Sequence, residues 1–190
     1  MALGLDNVIV AAWIGLLIVW VIGGFMTKTT VRKQSTASRL LEIVPMALVF
    51  MLFFSSRTLA DWTSMQFVPD TLAWRSLGTA MTVAGAALAI WARFYLGRNW
   101  SATVTVKQEH ELIRTGPYRV VRHPIYSGLL LALLGTAIYG GQVKGLIAVA
   151  VAMIVWKMKS LREESFMQSE FGEQYAQYRR EVKGLVPFIW

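Results

Sequence analysis

Arg122-His123-Pro124 is the first place where the sequence concentrates chemistry. Proline at the first position of a helix loses nothing, because the N–H it lacks would have no partner there. A helix opening at Pro124 places His123 at its N-cap, and a helix N-terminus favours negative charge. His123, Arg122 and the free N–H groups of that turn therefore suit a carboxylate or a phosphate, unless His123 only caps the helix at an interface. Glu163-Glu164 is a second concentration, just past the last apolar stretch. Acids at a helix C-terminus are repelled by its dipole. Either the helix runs on beyond them, or they meet cationic partners or ligand hydroxyls. Gly116-Pro117-Tyr118 reads as a turn that carries an aromatic ring into a site. Tyr175 and Tyr178 are three apart and share a helix face, as site residues or as part of an amphipathic interfacial helix.

The elements that must hold these residues are apolar. Of 190 residues 55% are hydrophobic and only 16% charged, against about 25% charged in an average soluble domain. Five stretches, at 8–26, 40–56, 76–92, 124–139 and 143–158, approach the roughly 20 apolar residues that cross a bilayer. The last two are short, and residues 140–145 join them as a tight helical hairpin. The first stretch has no basic residues before it and no small-residue cleavage site after it, so it is expected to be retained rather than removed as a signal peptide. The expected fold is all-α: a polytopic integral membrane protein of about five transmembrane helices with a cytoplasmic C-terminal catalytic region. It forms a single membrane domain, with 1–91 as transmembrane scaffold and 92–190 as the cofactor-binding and catalytic region.

Charge fixes the expected orientation. Lys and Arg number four in 27–39, six in 92–123 and six in 157–190, and the alternate loops hold only Arg57, Arg75 and Lys144. Five spans put the three basic segments on one side, and basic loops are cytoplasmic. The N-terminus is thus expected outside and the C-terminus and active site in the cytoplasm, the membrane being a prokaryotic inner membrane. The net charge of +8 is then a topology signal, and no basic–aromatic module accompanies it, so no nucleic-acid partner is expected. The absence of cysteine excludes disulfides, thiolate metal sites and a cysteine nucleophile. Two histidines, His110 and His123, make a metal site unexpected.

Taken in order, His110-x-Leu112, Gly116-Pro117-Tyr118, Arg122-His123-Pro124-x-Tyr126-x-Gly128, Glu163-Glu164, Phe171-Gly172-x-x-Tyr175-x-x-Tyr178 and Val186-Pro187 form a set. It resembles the isoprenylcysteine carboxyl methyltransferase family of integral membrane enzymes. It is similar, more weakly, to the phospholipid N-methyltransferases of the same superfamily. The resemblance spans residues 93–187 and implies S-adenosylmethionine as methyl donor. The cofactor-binding residues it implies are His110, Leu112, Gly116, Pro117, Tyr118, His123, Pro124, Tyr126, Glu163 and Glu164. Adenine would meet the backbone of the His-x-Leu segment, and the acidic pair would meet hydroxyls or the ammonium. The Gly-x-Gly-x-x-Gly loop of soluble Rossmann enzymes is absent from the sequence, so cofactor recognition is expected on helices and loops.

Within that resemblance, the expected reaction is carboxyl O-methylation of an isoprenylcysteine-like amphiphile that enters sideways from the bilayer among membrane lipids. An ionised carboxylate needs no base, only alignment and exclusion of water and a cation to hold it, and Arg grips carboxylates bidentately. Arg162 and Arg93, at inner ends of spans, are the candidates for that grip. An amine acceptor would instead need a base, with His110, Glu163 or Glu164 the near options. The alternatives are N-methylation of a phospholipid amine, S-methylation of a small thiol, a nicotinamide-dependent enzyme like the sterol reductases, and a non-catalytic membrane scaffold. The Pro after His123 and the Ile before Tyr126 speak against the reductase.

Overall fold

The computed structural model describes residues 2–25, 30–33, 36–54, 61–97, 100, 105–107 and 112–185. Among the described residues each of the five apolar stretches falls largely on a helix: α1 (Ala2–Gly24), α2 (Thr36–Phe54), α3 (Leu72–Leu96), α4 (Pro124–Gly140) and α5 (Val143–Phe171). A short sixth helix, α6 (Glu173–Glu181), follows. The architecture is helical, as expected, with one small addition: β1 (Thr30–Lys33) and β2 (Thr105–Lys107) pair antiparallel. Among the described residues two helices, Gly4–Gly24 and Leu72–Leu96, are long and apolar enough to cross a membrane, and Ile43–Phe53 and Pro124–Gly140 are shorter apolar helices.

Packing starts from α3 against α4. Gly78 and Gly85 on α3 meet Gly135 and Gly128 on α4 in reversed order, so the helices run antiparallel. A Cβ built at Gly78 would lie 2.6 Å from the Gly135 carbonyl oxygen, and one at Gly128 would lie 2.6 Å from that of Gly85. Only glycine allows backbones this close, the device by which helices associate where no hydrophobic effect drives them. Polar contacts seal the same seam. The Thr82 hydroxyl lies 3.3 Å from that of Thr136, and Trp13 of α1 donates to Thr136 at 3.1 Å. On the other flank α2 and α5 meet α4 in an apolar core of Val49, Leu52, Leu133, Ala148, Ala152 and Trp156. Val10, Leu17 and Ile22 of α1 remain more than half exposed, as residues facing lipid would be.

Helix ends sort into two groups. At one end Tyr139 of α4 donates to Asp6 of α1. Here residues 65–67, before α3, are stitched across the α4–α5 turn by Phe67 N–H to Gly141 O (2.9 Å) and Val143 N–H to Met65 O (3.0 Å). That turn is two residues long and depends on Gly141, whose φ of 67° is left-handed. The other end gathers the C-termini of α1 and α3, the start of α4 and the later part of α5. Arg93 of α3 joins two of these, donating to Gly97 O at 2.8 Å and Gly23 O at 2.6 Å while its guanidinium lies 4.3 Å from the Trp100 ring centroid.

Helix α5 decides what this end contains. Its 29 residues rise about 43 Å at 1.5 Å each, well beyond a hydrocarbon core of roughly 30 Å. The two options open for Glu163-Glu164 are thus both realised: the helix continues through them, and they meet cationic partners.

Candidate active site

Pro124 opens α4 as its spacing predicts, but the His123 side chain makes no capping hydrogen bond. Its imidazole turns toward α5, where both ring nitrogens face carboxylates. Nε2 lies 3.1 Å from Glu164 Oε1, and Nδ1 lies 3.4 Å from Glu163 Oε2. Arg122 reaches the same Glu164 oxygen from Nε at 3.0 Å and Nη2 at 2.7 Å. Arg179 of α6 approaches the other at 3.5 Å. Tyr126, one turn into α4, donates to Glu163 Oε1 at 2.5 Å. The anionic groups at the start of α4 are therefore the chain's own.

Three contacts hold these residues in place. The Tyr126 ring is stacked between His123, with centroids 5.7 Å apart, and Trp156 of α5, at 6.0 Å. Trp156 and Glu163 are seven apart and so on one face of α5. Next, the segment after α6 lies along the start of α4. Arg122 N–H donates to Lys183 O at 2.8 Å, His123 N–H to Gly184 O at 3.1 Å, and Ser127 Oγ to Leu185 O at 2.5 Å. Arg122 also donates from Nη1 to Val182 O. Last, α6 docks through Tyr175 and Tyr178, both buried. Tyr178 donates to Tyr118 O at 2.6 Å, and Tyr118 donates to Ala92 O at 3.3 Å. The Gly116 turn beneath needs glycine twice over: φ is +57°, and a Cβ would come within 2.8 Å of Tyr95 Cδ1.

The two acids differ in exposure. The Glu164 side chain is 7% exposed and the Glu163 side chain 24%. Burial pushes the Glu164 carboxyl up, but the hydrogen bonds from His123 and Arg122 outweigh it and hold the group down at about 2. Glu163 is lowered too: burial raises it, and His123, Lys159 and Tyr126 more than compensate. His123 shows the mirror image, with burial opposing its charge and the two carboxylates raising it above its ordinary 6.5. Burial pushes the hydroxyls of Tyr175 and Tyr178 up, so Tyr178 keeps the proton it donates to Tyr118 O.

Of the residues expected from sequence, the structure brings His123, Tyr126, Glu163 and Glu164 into one cluster. Pro117, Tyr118 and Pro124 are buried in its supports, and Leu112 is half-buried before the Gly116 turn. Arg162 is half-buried on α5, one residue before Glu163. Arg93 is 4% exposed, with both terminal nitrogens engaged and Nε the buried atom without a partner. His110 lies outside the described residues. Sequence reading missed Arg179, Trp156 and Ser127. The signal for Trp156 was its seven-residue spacing from Glu163; Arg179 shows none, since its partner is on another helix. Among the described residues no group of acids and histidines is arranged to hold a metal.

A family model described as phospholipid methyltransferase matches residues 74–174, more than half of the chain. Protein-S-isoprenylcysteine O-methyltransferase B of Arabidopsis thaliana is 32% identical over 119 residues, covering 60% of this chain and 59% of that protein. Protein-S-isoprenylcysteine O-methyltransferase of Homo sapiens is 28% identical over 150 residues, covering 72% and 51%. The chain thus spans between half and three-fifths of the length of these curated relatives. Among solved structures, the eukaryotic intramembrane Ras methyltransferase (isoprenylcysteine carboxyl methyltransferase) is similar with a TM-score of 0.51 and 24% identity, covering 84% of this chain and 55% of that one. That likeness establishes a shared fold.

Proposed function

The chain belongs to the phospholipid methyltransferase family, and from that premise we propose that it methylates the carboxylate of an isoprenylcysteine-like amphiphile with S-adenosylmethionine as donor. The observation that carries the reading is the cluster of Arg122, His123, Tyr126, Glu163 and Glu164, on which the separated motifs converge. Its donor set fits the cofactor. Glu163, the more exposed acid, suits an ammonium or ribose hydroxyls, Arg179, with its side chain 56% exposed, suits a carboxylate, and Tyr126 holds Glu163 in place from its hydroxyl. Leu112 and the Gly116 turn, with His110, would hold the adenine end. When bound, S-adenosylmethionine supplies a methyl group activated by a sulfonium.

The remaining work falls to the chain. A carboxylate acceptor is ionised at neutral pH, so no side chain has to remove a proton. Arg162 holds it by paired N–H donors at the edge of the cofactor site. Arg93, with Nη1 and Nη2 committed to carbonyls, can offer only Nε and serves first as the clamp between α1 and α3. The first three helices act as scaffold. A lipid-bearing acceptor reaches the site from the bilayer, and the basic end of the bundle faces the cytoplasm.

The family model's own description favours one other reading, transfer to a phospholipid amine. Arg162→Lys separates the two. Lys keeps the charge and loses the planar fork. On a prenylcysteine acceptor the variant is expected to lose turnover about a hundredfold, as a misplaced reactant would, with the affinity for S-adenosylhomocysteine retained. Full turnover of Arg162→Lys, with methyl appearing on phosphatidylethanolamine, would overturn the carboxylate reading.

A further inference from the structure

Both ring nitrogens of His123 point at carboxylate oxygens, at 3.1 Å and 3.4 Å. A carboxylate only accepts, and a neutral imidazole has one N–H to give. The two contacts can be satisfied together only when both nitrogens carry protons. The exits for the two acids are unequal. Glu164 is closed in by Arg122, His123 and Arg179. Glu163 is held by Tyr126 and by the second nitrogen of His123 and is the more exposed.

From this geometry we infer that His123 is a positioning residue that works as the imidazolium, bridging Glu164, which anchors, to Glu163, which it aims at the ligand. The charged and titratable groups facing it agree with that state. From α5 come Glu163, Glu164 and, 5.8 Å from the Tyr126 ring centroid, Lys159. From α6 comes Arg179, behind Glu164. Its own segment contributes Arg122 and the Tyr126 ring stacked on it. Two carboxylates directly opposite the ring outweigh its burial. Losing the proton would leave a lone pair of the ring facing a carboxylate. Glu163 would then be freed from its set position, so ligand affinity falls as pH rises through the titration of His123. His123 is thereby no base for the reaction, which leaves the cluster suited to acceptors already ionised.

The consequence for the ligand rests on the methyltransferase reading; the protonation state does not. The test uses the whole detergent-solubilised chain with ¹⁵N-labelled histidine. His110 and His123 are the only histidines, and His110→Gln assigns the two sets of resonances. At pH 7.5 the His123 nitrogens are expected at imidazolium shifts, with titration above 6.5. Calorimetry with S-adenosylhomocysteine is expected to show affinity falling at least about tenfold across that same titration. His123→Gln should bind more weakly than wild type at neutral pH and without that pH dependence. A neutral imidazole at pH 7.5, or wild-type affinity unchanged through the titration, would overturn the inference. If wild type bound no S-adenosylhomocysteine at any pH, the methyltransferase reading would fail, and the resonances would still decide the state of His123.

Discussion

Glu163 and Glu164 are neighbours in sequence, yet helical geometry turns them about 100° apart, and their surroundings differ accordingly. Glu164 faces two guanidinium groups and an imidazole at 7% exposure. Removing its charge takes the carboxylate away from Arg122 and His123, whose side chains are only 11% and 9% exposed, a loss of about 3–5 kcal/mol for a broken buried pair. Glu164→Gln is therefore expected to lower the melting temperature, read by a fluorescence melt in detergent. Glu163→Gln is expected to melt near wild type and to lose affinity for S-adenosylhomocysteine. Equal melting temperatures for the two variants would refute this division of labour. The pH dependence of stability follows from the same contacts. Glu164 sits at about 2 in the fold against an ordinary 4.5, so its contribution is present above 4.5 and is lost as pH falls toward 2. His123 is raised above 6.5, so its contribution is full below 6.5 and is lost as pH rises through its folded value. Stability measured against pH should thus decline on both sides, with His123→Gln removing the alkaline decline. At this scale the sequence was informative wherever partners share a short motif. Arg122, His123 and Tyr126 lie within one stretch of five. It was silent on Arg179, which is 15 residues from Glu164 in sequence and meets it only because α6 folds back.

Helices α4 and α5 carry the cluster, and α4 is held by its contact with α3. Gly78, Gly85, Gly128 and Gly135 are the floor of that contact. A side chain at Gly85 would meet the Gly128 carbonyl oxygen at 2.5 Å, backbone that cannot swing aside. Gly85→Leu is expected to push α4 off α3 and displace the start of α4 where the site lies, with loss of folded protein in a thermal-stability assay of detergent extracts. Gly24→Ala, where an added Cβ would meet nothing within 4 Å, is expected to be tolerated. Each pair is seven residues apart, two turns of one helix face, but that spacing has meaning only once the partner helix is known. The apolar cores of the five long helices were legible because an uninterrupted apolar run has one outcome in a membrane. The extension of α5 to Phe171 was less so, since residues 159–171 are mostly polar and carry no apolar stripe to mark them helical. The ribbon of β1 and β2, four and three residues long, is too short to leave an alternation.

For the molecule as a whole, the distribution of charge and the sorting of helix ends agree. Arg93, Arg114, Arg119, Arg122, Arg162 and Arg179 belong to the end that holds the cluster, and Arg75 and Lys144 to the other. The positive-inside rule then predicts a cytoplasmic cluster end. A reporter active only in the cytoplasm should give signal when fused after Trp190 and none when inserted beside Asp61; the reverse would place the site on the opposite face. The central claim concerns the atom that receives the methyl group. Its most direct measurement supplies methyl-labelled S-adenosylmethionine to the chain in nanodiscs holding both a prenylcysteine and phosphatidylethanolamine. Mild alkali then treats the products. A methyl ester releases its label as methanol, whereas a methylated amine keeps it. The account predicts label on the prenylcysteine, nearly all of it released by alkali. Label retained on the phospholipid after alkali would contradict it.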